Sequence, residues 1–141
     1  MIYRFSTIIL SLVLALNLLF SCNNKLSVEA MQYATMGQKV YTQHCQNCHG
    51  ANGEGLGKLY PPLTDAEYLN ENRKSLPCIV KFGMKGEIQV DGKTYNQEMP
   101  GVPTLSTLDV AYVLSYVSTF FAKDNKHFSK EEVENLLKNC P

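Results

Sequence analysis

The residues best placed to do chemistry stand together at Cys45-Gln46-Asn47-Cys48-His49. Cys-x-x-Cys-His is the pattern that attaches a c-type haem. Two thiols one helical turn apart can add across the two vinyl groups of one porphyrin edge. The histidine next in the chain can then offer iron a ring nitrogen from beneath. Two other chemistries use the same residue types. A thioredoxin-like redox pair calls for a strand–helix–strand setting, and none is visible around it. A zinc site calls for a second Cys/His pair, and only isolated Cys78, His127 and Cys140 remain. The expectation is haem c, one and covalent, bonded through Cys45 and Cys48, with His49 as one axial ligand.

The elements that must position this motif can be read on either side of it. Gly37-x-x-x-Tyr41-x-x-x-Cys45 lies on a stretch that reads as helix from about Val28. After the motif come Gly50, Gly53, Gly55 and Gly57, which make a helix there unfavourable, and then Pro61-Pro62-Leu63. Nearer the end stand Met99-Pro100, Leu105 and a predicted helix Asp109–Phe121 begun by Ser106, with an apolar stripe of Val110, Val113, Leu114, Val117, Phe120 and Phe121. In this order and spacing the set resembles a class I cytochrome c with one haem, over roughly residues 30–121. The resemblance implies an all-α fold with helices wrapped around one covalently bound haem. It also implies that Gly37 lets the first helix cross closely over the last, with Tyr41 beside the crossing against Val113 and Tyr116. Pro61 or Pro62 is then expected to present a backbone carbonyl to the distal nitrogen of His49, fixing the ring and raising its basicity.

A second axial ligand must come from elsewhere. Met31 and Met36 precede the motif on the first helix and are expected to face the core. Met84 and Met99 both follow short helical stretches. Pro100 and Pro103 stiffen the loop after Met99, and the resemblance places its ligand at such a Met-Pro, so Met99 is favoured over Met84. His127, in the tail, reads as solvated, and His44 adjoins an attachment thiol.

Between the ligands, Thr64-Asp65-Ala66-Glu67 has the form of a capping box opening a short helix. A second short helix is expected over 75–83, with Pro77 in its first turn. Glu87–Tyr95 alternates around Asp91-Gly92, a small β-hairpin before the methionine ligand. A last helix, Lys130–Lys138, is capped by Ser129 and Glu132.

Residues 1–21 read as an export leader with an apolar run Ile8–Phe20. That run falls short of the roughly 20 residues a spanning helix needs. The junction Leu19-Phe20-Ser21-Cys22 resembles a bacterial lipobox, which implies a lipid on Cys22. Residues 22–27 then form a tether and 28–141 one domain with a C-terminal helical extension. Removing the leader takes away one base, Arg4, and no acid, leaving 12 basic and 13 acidic groups. With no excess positive charge, nucleic-acid binding is not expected. Lys58, Lys81, Lys85 and Lys93 are interspersed with Glu54, Glu87 and Glu98, a pattern of ordinary surface alternation. In an oxidising compartment the two remaining cysteines, Cys78 and Cys140, are expected to pair.

The expected function is a monomeric, periplasm-facing, membrane-anchored one-electron carrier between redox protein partners, and not an enzyme. Two alternatives remain open on the sequence. One is the cytochrome subunit of a multi-subunit oxidoreductase. The other is a haem sensor or peroxidase with a displaceable sixth ligand.

Overall fold

The computed structural model describes residues 27–124 and 126–141. The leader and Cys22 lie outside the described residues. Among the described residues no helix is long and apolar enough to cross a membrane.

Among the described residues the fold consists of six α-helices and two short antiparallel ribbons, in keeping with the expected all-α class with a small hairpin. Helix α1, Val28–His44, opens at Ser27, whose Oγ accepts from the Ala30 amide at 3.1 Å. Its buried face is Ala30, Ala34, Gly37, Val40 and Tyr41. The face is built of small residues because α5, Thr107–Tyr116, crosses it closely. A Cβ at Gly37 would run into the carbonyl of Tyr112 and the side chain of Tyr116. Met31 and Met36 lie off this face and are 45% and 53% exposed, contrary to the expectation that they face the core.

Helix α2, Gln46–His49, is a single turn that ends at Gly50, whose φ is +81°. Helix α3, Ala66–Glu71, is capped by Asp65 and not by Thr64: the Asp65 carboxylate accepts from the Tyr68 amide at 3.0 Å. Helix α4, Leu76–Phe82, carries Pro77 in its first turn and runs directly into β1, Gly83–Met84. The hairpin is β2, Ile88–Val90, and β3, Lys93–Tyr95, turning through Asp91 and Gly92 with positive φ at both. Asp65 also accepts from the Asp91 amide at 2.8 Å, tying the turn to α3.

Strand β4, Met99–Pro100, pairs with β1 and forms a second ribbon that the sequence did not announce. Gly83 and Gly101 permit it, since a Cβ on Gly83 would strike the Met99 carbonyl and one on Gly101 the backbone of Phe82.

Ser106 and Asp109 cap α5 with a full capping box. The helix then widens into a π turn, Val117–Phe121. This turn carries Phe121 against Tyr41 and Gly53 while Phe120 is left 39% exposed, so the expected apolar stripe breaks there. Helix α6, Lys130–Leu137, is capped by Ser129. It is held back on the body by a Cys78–Cys140 disulfide and by Arg73, whose guanidinium makes two 3.0 Å bonds to Glu132 and lies 3.7 Å over the buried Phe128 ring.

Candidate functional site

The site begins at the junction of α1 and α2. Cys45 ends α1, and its carbonyl accepts from the amides of Cys48 and His49 at 3.1 and 3.0 Å. This tight turn holds both thiols and the imidazole on one short piece of chain. Tyr41, one turn back, donates its hydroxyl to the Gly50 carbonyl at 2.7 Å. It packs on Tyr116 and Phe121, so the motif is braced against the α1–α5 crossing. Burial holds the Tyr41 hydroxyl well above the ordinary tyrosine range, with the neighbouring Cys45 adding to the effect, so it remains a donor.

His49 is only 7% exposed. Its Nδ1 lies 3.0 Å from the Pro61 carbonyl. A carbonyl can only accept, so Nδ1 carries the hydrogen and Nε2 is left with its lone pair. Burial pushes the ring's pKa below the ordinary histidine value, and the bond to Pro61 pulls it partly back. The side chain is therefore a neutral imidazole at neutral pH, with one nitrogen committed and the other free to ligate. Of the two prolines considered, Pro61 supplies this carbonyl.

His49 lines an apolar cleft with two lobes that share much of their lining. Cys45, His49, Pro61, Met84 and Met99 border both lobes. Aliphatic side chains from separate elements complete the walls: Leu69 of α3, Ile79 and Val80 of α4, Ile88 of β2, and Val113 and Leu114 of α5. Cys48 borders the second lobe.

Met99 is delivered by the β1/β4 ribbon. The Val102 amide donates to the Val80 carbonyl at 2.9 Å, and the Lys81 ammonium donates to the carbonyls of Pro103 and Leu105. Helix α4 thus grips the segment after Met99 on two sides. Three of the four lysines in the alternating surface pattern have partners: Lys81 as just described, Lys85 with Glu98 at 3.1 Å, and Lys93 near Asp91 at 3.9 Å.

These residues fit a flat apolar macrocycle bearing iron. The thiols, a singly committed imidazole and soft thioethers all face one predominantly apolar cleft. They do not fit the two other chemistries considered for the motif. Burial, with Cys48 alongside, pushes the Cys45 thiol up to about 11, the reverse of the lowered thiol of a disulfide-exchange pair. Among the described residues no group of three or more His, Cys, Asp or Glu side chains could hold a metal ion by itself. His127 is half-buried against Tyr33, 3.9 Å from Glu29 and outside the residues that border the cleft.

Three residues important to this arrangement carried no signal in the sequence. Lys81 reads there as ordinary surface charge, and Arg73 belongs to no motif there. Ser115 is a buried serine on α5 whose Oγ accepts from the Phe128 amide at 2.9 Å. Their partners are distant in the chain, so no local pattern reveals them.

Residues 34–120 match the family model described as Cytochrome c. The chain is 35% identical over 109 residues to the protein named cytochrome c-552 from Thermus thermophilus, covering 71% of this chain and 82% of that one. It shows the same identity over the same length to a second cytochrome c-552, from a named strain of the same organism, covering 73% of that protein.

Proposed function

The chain belongs to the cytochrome c family and is an electron-transfer protein with covalently bound haem c, and from that premise we propose that His49 and Met99 hold the iron from its two axial positions in a one-electron carrier. Cys45 and Cys48 make the covalent bonds to the macrocycle. When bound, the haem supplies a single iron that cycles between ferric and ferrous. The rest of the work belongs to the chain. Pro61 holds the His49 ring in one orientation and one tautomer through its carbonyl. Met99 offers a soft sulfur that favours ferrous iron and so a high potential. The aliphatic walls of α3, α4 and α5 exclude water, which also disfavours the extra charge of the ferric state. With protein donors at both positions, iron would have no place for a substrate, and the protein acts as a carrier, not an enzyme.

The observation that supports this reading best is the 3.0 Å contact between His49 Nδ1 and the Pro61 carbonyl. It leaves Nε2 as the only ring nitrogen available to iron, inside a cleft that Met99 also lines. Exposure of the reduced holoprotein to carbon monoxide tests it. The expected result is an unchanged spectrum at neutral pH. A rapid shift to a carbon monoxide adduct would instead indicate an open or displaceable position, as in a sensor or peroxidase.

The carrier works as an exported monomer, tethered by lipid at Cys22, between a protein donor and a protein acceptor. The lipobox-like junction at Leu19–Cys22 supports the tether. Two or more acyl chains suffice for stable anchoring, where one is marginal.

A further inference from the structure

The β1/β4 ribbon places two thioethers side by side. Met84 and Met99 are direct cross-strand partners. Side chains at opposed positions of an antiparallel pair share one face, with Cβ atoms about 4.5–5.5 Å apart. Both methionines border both lobes of the cleft, as His49 does. Their closeness is built into the backbone. A side chain at Gly83 would strike the Met99 carbonyl, and one at Gly101 the backbone of Phe82, so only glycine lets the two strands meet here.

From this we infer that Met84 is a second axial-ligand position for the same iron, able to take the sixth site when Met99 sulfur is lost. The inference rests on the His49/Met99 reading. A thioether is the same soft donor at either position. Methionine also has three rotatable bonds with which to cover a gap of about one strand spacing, roughly 4.8 Å. In the exchange a Met99 sulfur–iron coordinate bond breaks and a Met84 sulfur–iron bond forms, with no electron or proton transferred. Met99 keeps the resting site because the segment behind it is stiffened by Pro100 and Pro103 and gripped by Lys81 and Val80. A carrier built this way stays six-coordinate, and its iron stays closed to small ligands, even when Met99 no longer binds.

The test compares four holoproteins: wild type, Met84→Leu, Met99→Leu, and the variant carrying both changes. Leucine removes the sulfur at nearly constant volume, and Met99→Ala is run beside Met99→Leu so that a packing defect of one side chain does not decide the result. Wild type and Met84→Leu should both show the weak far-red absorption of ferric sulfur–iron ligation. Met99→Leu should retain such a band, displaced in position, and its reduced form should still exclude carbon monoxide. The double variant should lose the band and bind carbon monoxide readily. Loss of the band in Met99→Leu and Met99→Ala, with carbon monoxide binding equal to that of the double variant, overturns the inference and leaves Met99 as the wild-type ligand. Loss of the band in Met84→Leu alone reverses the ligand assignment and overturns the inference with it. A wild-type protein without the band fails the reading beneath.

Discussion

His49 and Asp65 show how single residues are tuned by what surrounds them. At His49, burial suppresses the charged form and the Pro61 carbonyl restores part of the loss, leaving a neutral imidazole with a fixed tautomer. At Asp65 the balance runs the other way. The amides of Tyr68 and Asp91 hold its carboxyl below the usual carboxylate range. A lowered folded-state value means that the ionised form is favoured by folding. Its contribution is present in full above the ordinary aspartate value of about 3.9 and is lost as pH falls through the folded value. Asp65→Asn keeps a competent helix cap but loses an acceptor for one of the two amides. The variant should be less stable than wild type by about 0.5–1 kcal/mol at pH 7. Urea unfolding at pH 7 and again below pH 3 checks this, with the difference shrinking toward zero in acid. An equal difference at both pH values would show that the charge of Asp65 plays no part.

Among the elements, α4 has the most consequences for the site. It begins at Leu76 with Pro77 in its first turn, carries Cys78, lines the cleft with Ile79 and Val80, grips the segment after Met99 through Lys81, and runs out into β1. Its disulfide to Cys140 spans a sequence separation of 62 residues. In the chain-entropy account a loop of that size contributes about 4 kcal/mol. Cys78→Ser/Cys140→Ser holoprotein should lose roughly that much in denaturant unfolding, with the absorption spectrum of the native state unchanged. A loss below about 1 kcal/mol would mean that Arg73 and Phe128 already secure α6.

How much of this was legible depended on how local each signal was. The attachment motif lies within five consecutive residues, and the hairpin is announced by Asp91-Gly92, so both could be read from neighbours in the chain. Ser106 and Ser129 likewise cap helices that begin one residue later. The β1/β4 ribbon has only two residues in each strand, and Gly83 meets Pro100 across the whole intervening hairpin. The π turn is set by Phe121 docking on Tyr41 and Gly53, contacts made across the fold. Met31 and Met36 were expected in the core from their place on the first helix, whereas its buried face is taken by Ala30, Ala34, Gly37, Val40 and Tyr41.

On the scale of the whole molecule, the described residues are built around an apolar cleft, and the proposed tether precedes them. The expected lipid at Cys22 decides where the carrier meets its partners. Cys22→Ser, expressed with its leader, should move the protein from the membrane fraction to the soluble exported fraction without altering its spectrum. Continued fractionation with membranes would place the anchor elsewhere.

The central claim is that His49 and Met99 close both axial positions of the iron. Labelling the methionine methyl groups with carbon-13 and recording the proton–carbon spectrum of the reduced holoprotein addresses it directly, because a methyl held over the face of a low-spin ferrous haem is shifted far upfield by the ring current. One strongly upfield methyl is expected in wild type, and the same resonance should persist in Met84→Leu. The absence of any such methyl in wild type, together with a carbon monoxide adduct at neutral pH, would contradict the account.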